Sequence, residues 1–189
     1  MFTKNEKRVL RYLWVNKRKT SINQIAKDLG LSPNGAHKIL KKVENEDIIE
    51  KEKIANVVSY RLKEDNKAKK ALELALLEKA EGKIRYRYND LKPLEPITKA
   101  VVIFGSYLSG KNPHDLDLVV VLEKKNYRKY KDMLAKIKEI IPLPVHDVIQ
   151  TKEDLLANLQ EDNKAITAAL QEGFILWGHD ILIGVLHER

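Results

Sequence analysis

Two acids one residue apart, Asp115 and Asp117, open the apolar run Leu118-Val-Val-Val-Leu122, and a Gly-Ser pair, Gly105-Ser106, follows the apolar run Ala100-Val-Val-Ile-Phe104. Side chains alternate along a strand, so Asp115 and Asp117 share one face while His114 and Leu116 take the other. Two carboxylates so placed repel each other unless a cation sits between them. Magnesium, a hard ion that keeps part of its water and shares its shell with substrate phosphates, suits such an open oxygen pair. Gly105 lets the backbone come close to a ligand, Ser106 adds a hydroxyl, and Tyr107, Leu108 and Ser109 can start a short helix whose free N–H groups accept a phosphate. Asp147, within Val145-His-Asp-Val-Ile149, is a third strand-borne acid, with His146 directed to the opposite side. Three such acids meet the needs of in-line phosphoryl or nucleotidyl transfer, one metal ion serving the attacking oxygen and a second the triphosphate. The rival chemistry is a histidine zinc site, which alternation disfavours by turning His114 and His146 away from the acids. Cysteine is absent, which removes thiolate nucleophiles and cysteine-based zinc sites.

Gly105-Ser106, Asp115-x-Asp117 and Asp147 resemble the motif positions of the minimal nucleotidyltransferases of the DNA polymerase β superfamily, over roughly Lys99 to Gln150. The resemblance implies a mixed sheet, two magnesium ions, an NTP donor and transfer of NMP to an acceptor hydroxyl. It assigns both metals to Asp115 and Asp117, and gives Asp147 the completion of the nucleophile-side metal. Many minimal members read Gly-Ser-x-Ala-Arg-Gly where this chain reads Gly-Ser-Tyr-Leu-Ser-Gly. Ser109 therefore stands in the arginine position, and Lys111 is the replacement cation suggested by proximity in sequence.

The elements that must position these groups are legible as periodicity. Buried strands are expected at Ala100 to Phe104, Leu116 to Leu122 and Val145 to Gln150. A helix is expected from Tyr127 to Ile141, closed by Pro142, then one or two helices from Lys152 to Gln171 and a short strand at Phe174 to Trp177. In the N-terminal half, Thr3-Lys-Asn-Glu6 has capping-box form ahead of a helix to about Asn16. Ser21-Ile-Asn-Gln24 repeats that form before a short helix ending at Gly30, and Ser32-Pro33 starts a third that reaches about Glu46. Ile48 to Ile54 and Val57 to Leu62 flank Ala55-Asn56 as a hairpin. Asn66 to Ala80 reads as a connecting helix, with Gly82 as its end or an interruption.

The second and third helices have helix-turn-helix spacing, with Asn34, His37, Lys38 and Lys41 on the outward face of the second of the pair. The stretch from Thr3 to Leu62, above all Ile25-Ala-Lys-Asp-Leu-Gly-Leu-Ser32, resembles the winged helix-turn-helix domains of small bacterial and archaeal transcription regulators. The resemblance implies a wing on DNA, which here would use Lys51, Lys53 and Arg61.

Charge distribution points the same way. Residues 1–90 hold 22 Lys+Arg against 13 Asp+Glu, residues 91–189 hold 13 against 14, and the halves carry +9 and −1. A basic half favours a polyanion through counterion release. No apolar stretch approaches the length of a membrane span, and the charged opening residues are unlike a signal peptide.

The reading is an α+β chain: a winged helix-turn-helix at 1–64, a connecting helix and linker at 65–92, and a mixed-sheet nucleotidyltransferase-like domain at 93–189. The expected function is magnesium-dependent nucleotidyl transfer by a protein that binds double-stranded DNA in the cytoplasm, with a protein or RNA acceptor. The alternative is a transcription regulator whose C-terminal domain only senses nucleotide or mediates partner binding. A toxin-antitoxin component overlaps both. A homodimer is expected from the helix-turn-helix type, with the Asn66 to Ala80 helix as its seam.

Overall fold

The computed structural model describes residues 2–16, 20–54, 57–109 and 113–187. Ala55-Asn56, Lys17 to Lys19 and Lys111 lie outside the described residues. The chain divides into two compact units, Met1–Leu77 and Glu78–Arg189. Among the described residues no helix is long and apolar enough to cross a membrane.

The first unit is built from α1 (Lys4–Val15), β1 (Thr20–Ser21), α2 (Ile22–Leu29), α3 (Pro33–Asn45), β2 (Ile49–Ile54), β3 (Val57–Leu62) and α4 (Asn66–Leu76). Thr3 caps α1 in a capping box: Glu6 N donates to Thr3 Oγ1 at 3.3 Å and Thr3 N donates to Glu6 Oε2 at 2.8 Å. Glu6 also accepts from Lys42 Nζ of α3 at 2.8 Å, so one carboxylate caps one helix and fastens another to it. Burial pushes this carboxyl up, but the Lys42 bond and the Thr3 amide outweigh it and hold Glu6 below its ordinary range.

Gly30 ends α2 in the left-handed conformation at φ +62°, and Leu31 N closes back on Ala26 O at 2.8 Å. This is the tight turn a helix-turn-helix needs. Ser32 caps α3 through Gly35 N at 3.1 Å, with Pro33 at the first helical position. Ile25, Ala26, Ala36, Leu40 and Val43 are buried with Val9, Leu10 and Leu13 of α1. The hairpin β2–β3 takes β1 as a third strand, in the order β1-β3-β2, all antiparallel. The apolar stripe of α4 (Ala68, Ala71, Leu72, Ala75, Leu76) is buried and α4 packs on α1, leaving Leu74 and Leu77 exposed.

The second unit holds α5 (Gly82–Leu91), β4 (Ala100–Phe104), α6 (Ser106–Ser109), β5 (Leu116–Val121), α7 (Tyr127–Lys138), β6 (Val145–Gln150), α8 (Lys152–Gln160), α9 (Lys164–Glu172), β7 (Phe174–Trp177) and α10 (His179–His187). Gly82 begins a helix rather than merely ending one, and a further helix, α10, follows β7. The four strands form a mixed sheet in the order β6-β5-β4-β7. β4 pairs antiparallel with β5 and β7, while β5 and β6 run parallel. A parallel pair needs a crossover, and α7 supplies it.

One sheet face packs Leu116, Leu118 and Val120 of β5 and Val101 and Ile103 of β4 against Leu91 of α5 and Tyr130, Leu134 and Ile137 of α7. At the roughly 25 cal/mol/Å² of buried apolar surface, such fully buried side chains each contribute about 1.5–3 kcal/mol. This core holds the strand ends from which the candidate site is built.

Candidate cation and nucleotide site

β5 starts at Leu116, so Asp115 immediately precedes the strand and Asp117 is its second residue. Both carboxylates are partly open, with side chains 33% and 23% exposed. Ser106, the first residue of α6, donates its hydroxyl to Asp115 Oδ1 at 2.7 Å. Phe104 pairs with Asp117 across β4–β5, which brings Gly105 beside the second acid. Gly105 sits at φ +74°, and a Cβ built there would overlap Asp117 Oδ2. Both facts require glycine: the backbone conformation favours it and the carboxylate occupies the space a side chain would take.

The third acid is not part of this group. In the parallel β5–β6 pair Asp117 lies opposite His146, and Leu118 lies opposite Asp147. Partners opposite one another share a face, so Asp147 is on the core side with Leu118 and His146 is on the acid side. Asp147 Oδ2 accepts from Lys131 Nζ at 2.8 Å and from Tyr130 Oη at 3.3 Å, both on α7. Lys138 Nζ stands 3.9 Å from Oδ1, and the Asp147 side chain is only 8% exposed. Burial, reinforced by the neighbouring Asp147 charge, pushes the Tyr130 phenol well up, so Tyr130 stays a donor.

Asp147, expected to complete a catalytic or metal triad, lies instead on the α7 side of the sheet, bonded to the crossover helix. Alternation within a strand is sound, but it fixes no face relative to another strand; register does. The same register corrects the expectation for His146. Its Nδ1 lies 3.5 Å from Asp117 Oδ1 and 3.7 Å from Asp115 Oδ2. A signal was present: Val145 and Ile149 flank Asp147 at the same parity, as Leu116 and Leu118 flank Asp117 at the opposite one. Matching the apolar faces of the two strands puts His146 with the acids. His114 is exposed ahead of β5 and is not part of the group.

The donor set fits a divalent cation. One oxygen each from Asp115 and Asp117 and a ring nitrogen of His146 lie within 4.8 Å of one another. Gly105 leaves their flank without a side chain. Two carboxylates and an imidazole are ordinary ligands for such an ion.

Residues 83–169 match the family model described as nucleotidyltransferase domain, and residues 2–50 match winged helix-turn-helix DNA-binding. The chain is a winged helix-turn-helix joined to a nucleotidyltransferase domain. No curated protein matches it. Among solved structures it is similar to Lactococcus lactis ZitR, a zinc-responsive MarR family member, at 17% identity over 75% of this chain and 78% of that one, with a TM-score of 0.34. A ZitR mutant from the same organism gives 19% identity over 75% and 77%, also with a TM-score of 0.34.

In the nucleotidyltransferase domain Ser109 is exposed on α6 and brings no positive charge. Residues 65–92, expected to be a connecting helix and linker, also contain α5. Lys83, Tyr86 and Arg87 of α5, with Tyr107, Pro113, Pro142 and Leu143, line a cleft of about 470 Å³. Tyr107 adjoins Ser106, Pro113 precedes β5 and Leu143 precedes β6, which places the cleft at the same end of the sheet as the acids. Lys83 Nζ lies 5.2 Å from the centre of the Tyr107 ring. Arg87 Nη2 pairs with Asp90 at 3.0 Å, while its buried Nε and Nη1 have no hydrogen-bond partner among the described residues.

In the winged helix-turn-helix domain Asn34, His37, Lys38 and Lys41 are all exposed on α3, opposite its buried Ala36, Leu40 and Val43. Lys51 and Lys53 are exposed on β2 and Arg61 on β3. Lys51 pairs with Glu44 at 2.7 Å and Arg61 with Glu50 at 2.6 Å, so two of the three wing cations already face acids of their own domain.

Proposed function

We propose that this protein is a divalent-cation-dependent nucleotidyltransferase, moving NMP from an NTP to an acceptor hydroxyl, and that its winged helix carries the activity to double-stranded DNA. The observation behind this reading is the gathering of Asp115, Asp117 and His146 beside the Gly105-Ser106 turn, in a domain that matches the nucleotidyltransferase model.

Asp115 and Asp117 would hold the cation, with His146 as the third protein ligand. The bound ion supplies charge neutralisation at the transferring phosphate. Ser106 orients Asp115 through its hydroxyl. Gly105 keeps Asp117 in place and leaves room for the nucleotide. The phosphate-side positive charge is assigned to Lys83 and Arg87 of the adjoining cleft, with Lys111 after α6 as a further source, since Ser109 has none. The acceptor oxygen attacks the α-phosphorus as the bond to the β-phosphate breaks. Pyrophosphate leaves, and the acceptor proton passes to solvent.

Asn34, His37, Lys38 and Lys41 would read the major groove, with Lys53 as the wing cation best able to meet phosphate. Binding to paired half-sites would bring two copies together as a homodimer. Since the α4 stripe is buried on α1, any seam on that helix would use Leu74 and Leu77. The test is incubation with α-phosphate-labelled NTPs, a divalent cation and candidate protein, RNA or small-molecule acceptors. Label on an acceptor that disappears with Asp117→Asn supports transfer; no labelled product with any acceptor counts against it.

A second reading is a DNA-binding regulator that senses nucleotide without consuming it. Asp147 favours it, because with that acid committed to α7 the site lacks a third carboxylate. Here NTP would change DNA affinity with no pyrophosphate released.

A further inference from the structure

The third strand-borne group beside Asp115 and Asp117 is an imidazole, and this bears on which cation the site takes. Magnesium requires near-octahedral oxygen coordination, dehydrates reluctantly and is served by carboxylates, water and phosphates. An imidazole nitrogen suits zinc, iron, nickel and copper rather than magnesium, and affinity at mixed nitrogen–oxygen sites rises along the first transition row from manganese, its weakest member. A third carboxylate would give the protein three negative charges there; two carboxylates with an imidazole as the third ligand give two. Both changes disfavour magnesium and a second ion.

His146 is held in this position by the fold. It lies on β6 opposite Asp117 in a register that continues from Leu116–Val145 to Val121–Gln150. Asp147 cannot exchange places with it without a one-residue slip of β6, which would detach Asp147 from Lys131 and Tyr130 and turn His146 into the α7-covered core. The ring nitrogen faces both acids, while the His146 side chain stays 64% exposed, leaving room for water and a substrate phosphate.

We infer that Asp115, Asp117 and His146 form a single-ion site that selects a first-row transition cation over magnesium, with His146 as the residue that sets the preference. The inference rests on the reading of this group as a cation site.

Manganese(II) is the probe. The full chain is titrated with manganese(II), the free ion is followed by electron paramagnetic resonance, and magnesium is added as competitor. The same titrations are run on His146→Ala, His146→Asp and Asp117→Asn. The expected result is one manganese per chain, displaced only by magnesium in about 100-fold or greater excess. His146→Ala should lower the manganese-to-magnesium preference about tenfold or more, and His146→Asp should move it towards magnesium by a similar factor. Binding of both ions with a preference that neither His146 variant changes would overturn the inference and leave the cation site standing. Failure of both ions to bind, with or without NTP, would overturn the inference and the cation site together. Because His146 is exposed, its variants should fold, and circular dichroism of each confirms it.

Discussion

His146 and Asp117 face each other across the parallel pair β5–β6, with the imidazole Nδ1 3.5 Å from the carboxylate, while the neighbouring residue Asp147 is turned to the opposite side of the sheet. Adjacent residues on one strand thus have separate duties: His146 joins the candidate site and Asp147 ties down α7.

Asp147→Asn separates these duties. The substitution removes the charge that Lys131 and Tyr130 meet and should cost about 1.5–3 kcal/mol of stability, the range for hydrogen bonds to a charged group. Cation binding at Asp115 and Asp117 should be unchanged. Urea denaturation and a manganese titration on the same sample check both, and a loss of cation binding in the folded variant would return Asp147 to the site.

Gly105→Ala should show the reverse pattern. The added methyl overlaps Asp117 Oδ2 and the backbone stays at φ +74°, a conformation costing an L residue about 1–2 kcal/mol. The carboxylate must move, so cation affinity should fall at least about tenfold, a difference of roughly 1.4 kcal/mol. Calorimetric titration together with a melting curve measures the two effects side by side.

On the N-terminal domain, changing Lys38 and Lys41 together to alanine should weaken duplex binding and reduce the dependence of log affinity on log salt. The expected reduction is about 1–2 in slope, since each phosphate contact contributes roughly 0.9. Lys51→Ala should have less effect, because Lys51 is already paired with Glu44. Fluorescence anisotropy over a series of salt concentrations reads this directly, and an unchanged slope in the double variant would move the contact face elsewhere.

Glu6 makes the stability of that domain depend on pH. Its folded value lies below the ordinary 4.5 despite burial, because Lys42 and the Thr3 amide bond the charged form. The unfolded chain therefore takes up the proton first as pH falls. The contribution is complete above about pH 4.5 and is lost as pH drops through the depressed folded value. Glu6→Gln should remove about 2 kcal/mol at neutral pH and flatten the acid limb, as measured by chemical denaturation between pH 3 and pH 7.

The helix caps were legible in the sequence because they are local. Thr3, Ser21 and Ser32 each bond the amide three residues on, as their spacing requires, and Gly30 takes the left-handed turn. Asp115, Asp117 and the Gly-Ser turn were legible for the same reason, lying on two neighbouring strands joined by a short connection. The partner of the acids was not, because it depends on how a strand nearly thirty residues away aligns with β5. β6 is an edge strand whose apolar alternation is interrupted by Asp147, and β5 is apolar on both faces, so the match of Val145 and Ile149 to Leu116 and Leu118 was a faint signal of register beside the alternation along each strand. Lys83 and Arg87 were hidden for a different reason: Gly82 reads as a helix end, yet it opens α5.

The central claim is that the Asp115–Asp117 corner is where cation and nucleotide meet. Calorimetric titration of an NTP into the full chain, with manganese(II) present or withheld, tests it most directly when Asp117→Asn is run alongside. The account predicts binding that requires the cation and vanishes in the variant. Nucleotide bound equally well without the ion, or retained by Asp117→Asn, would contradict it.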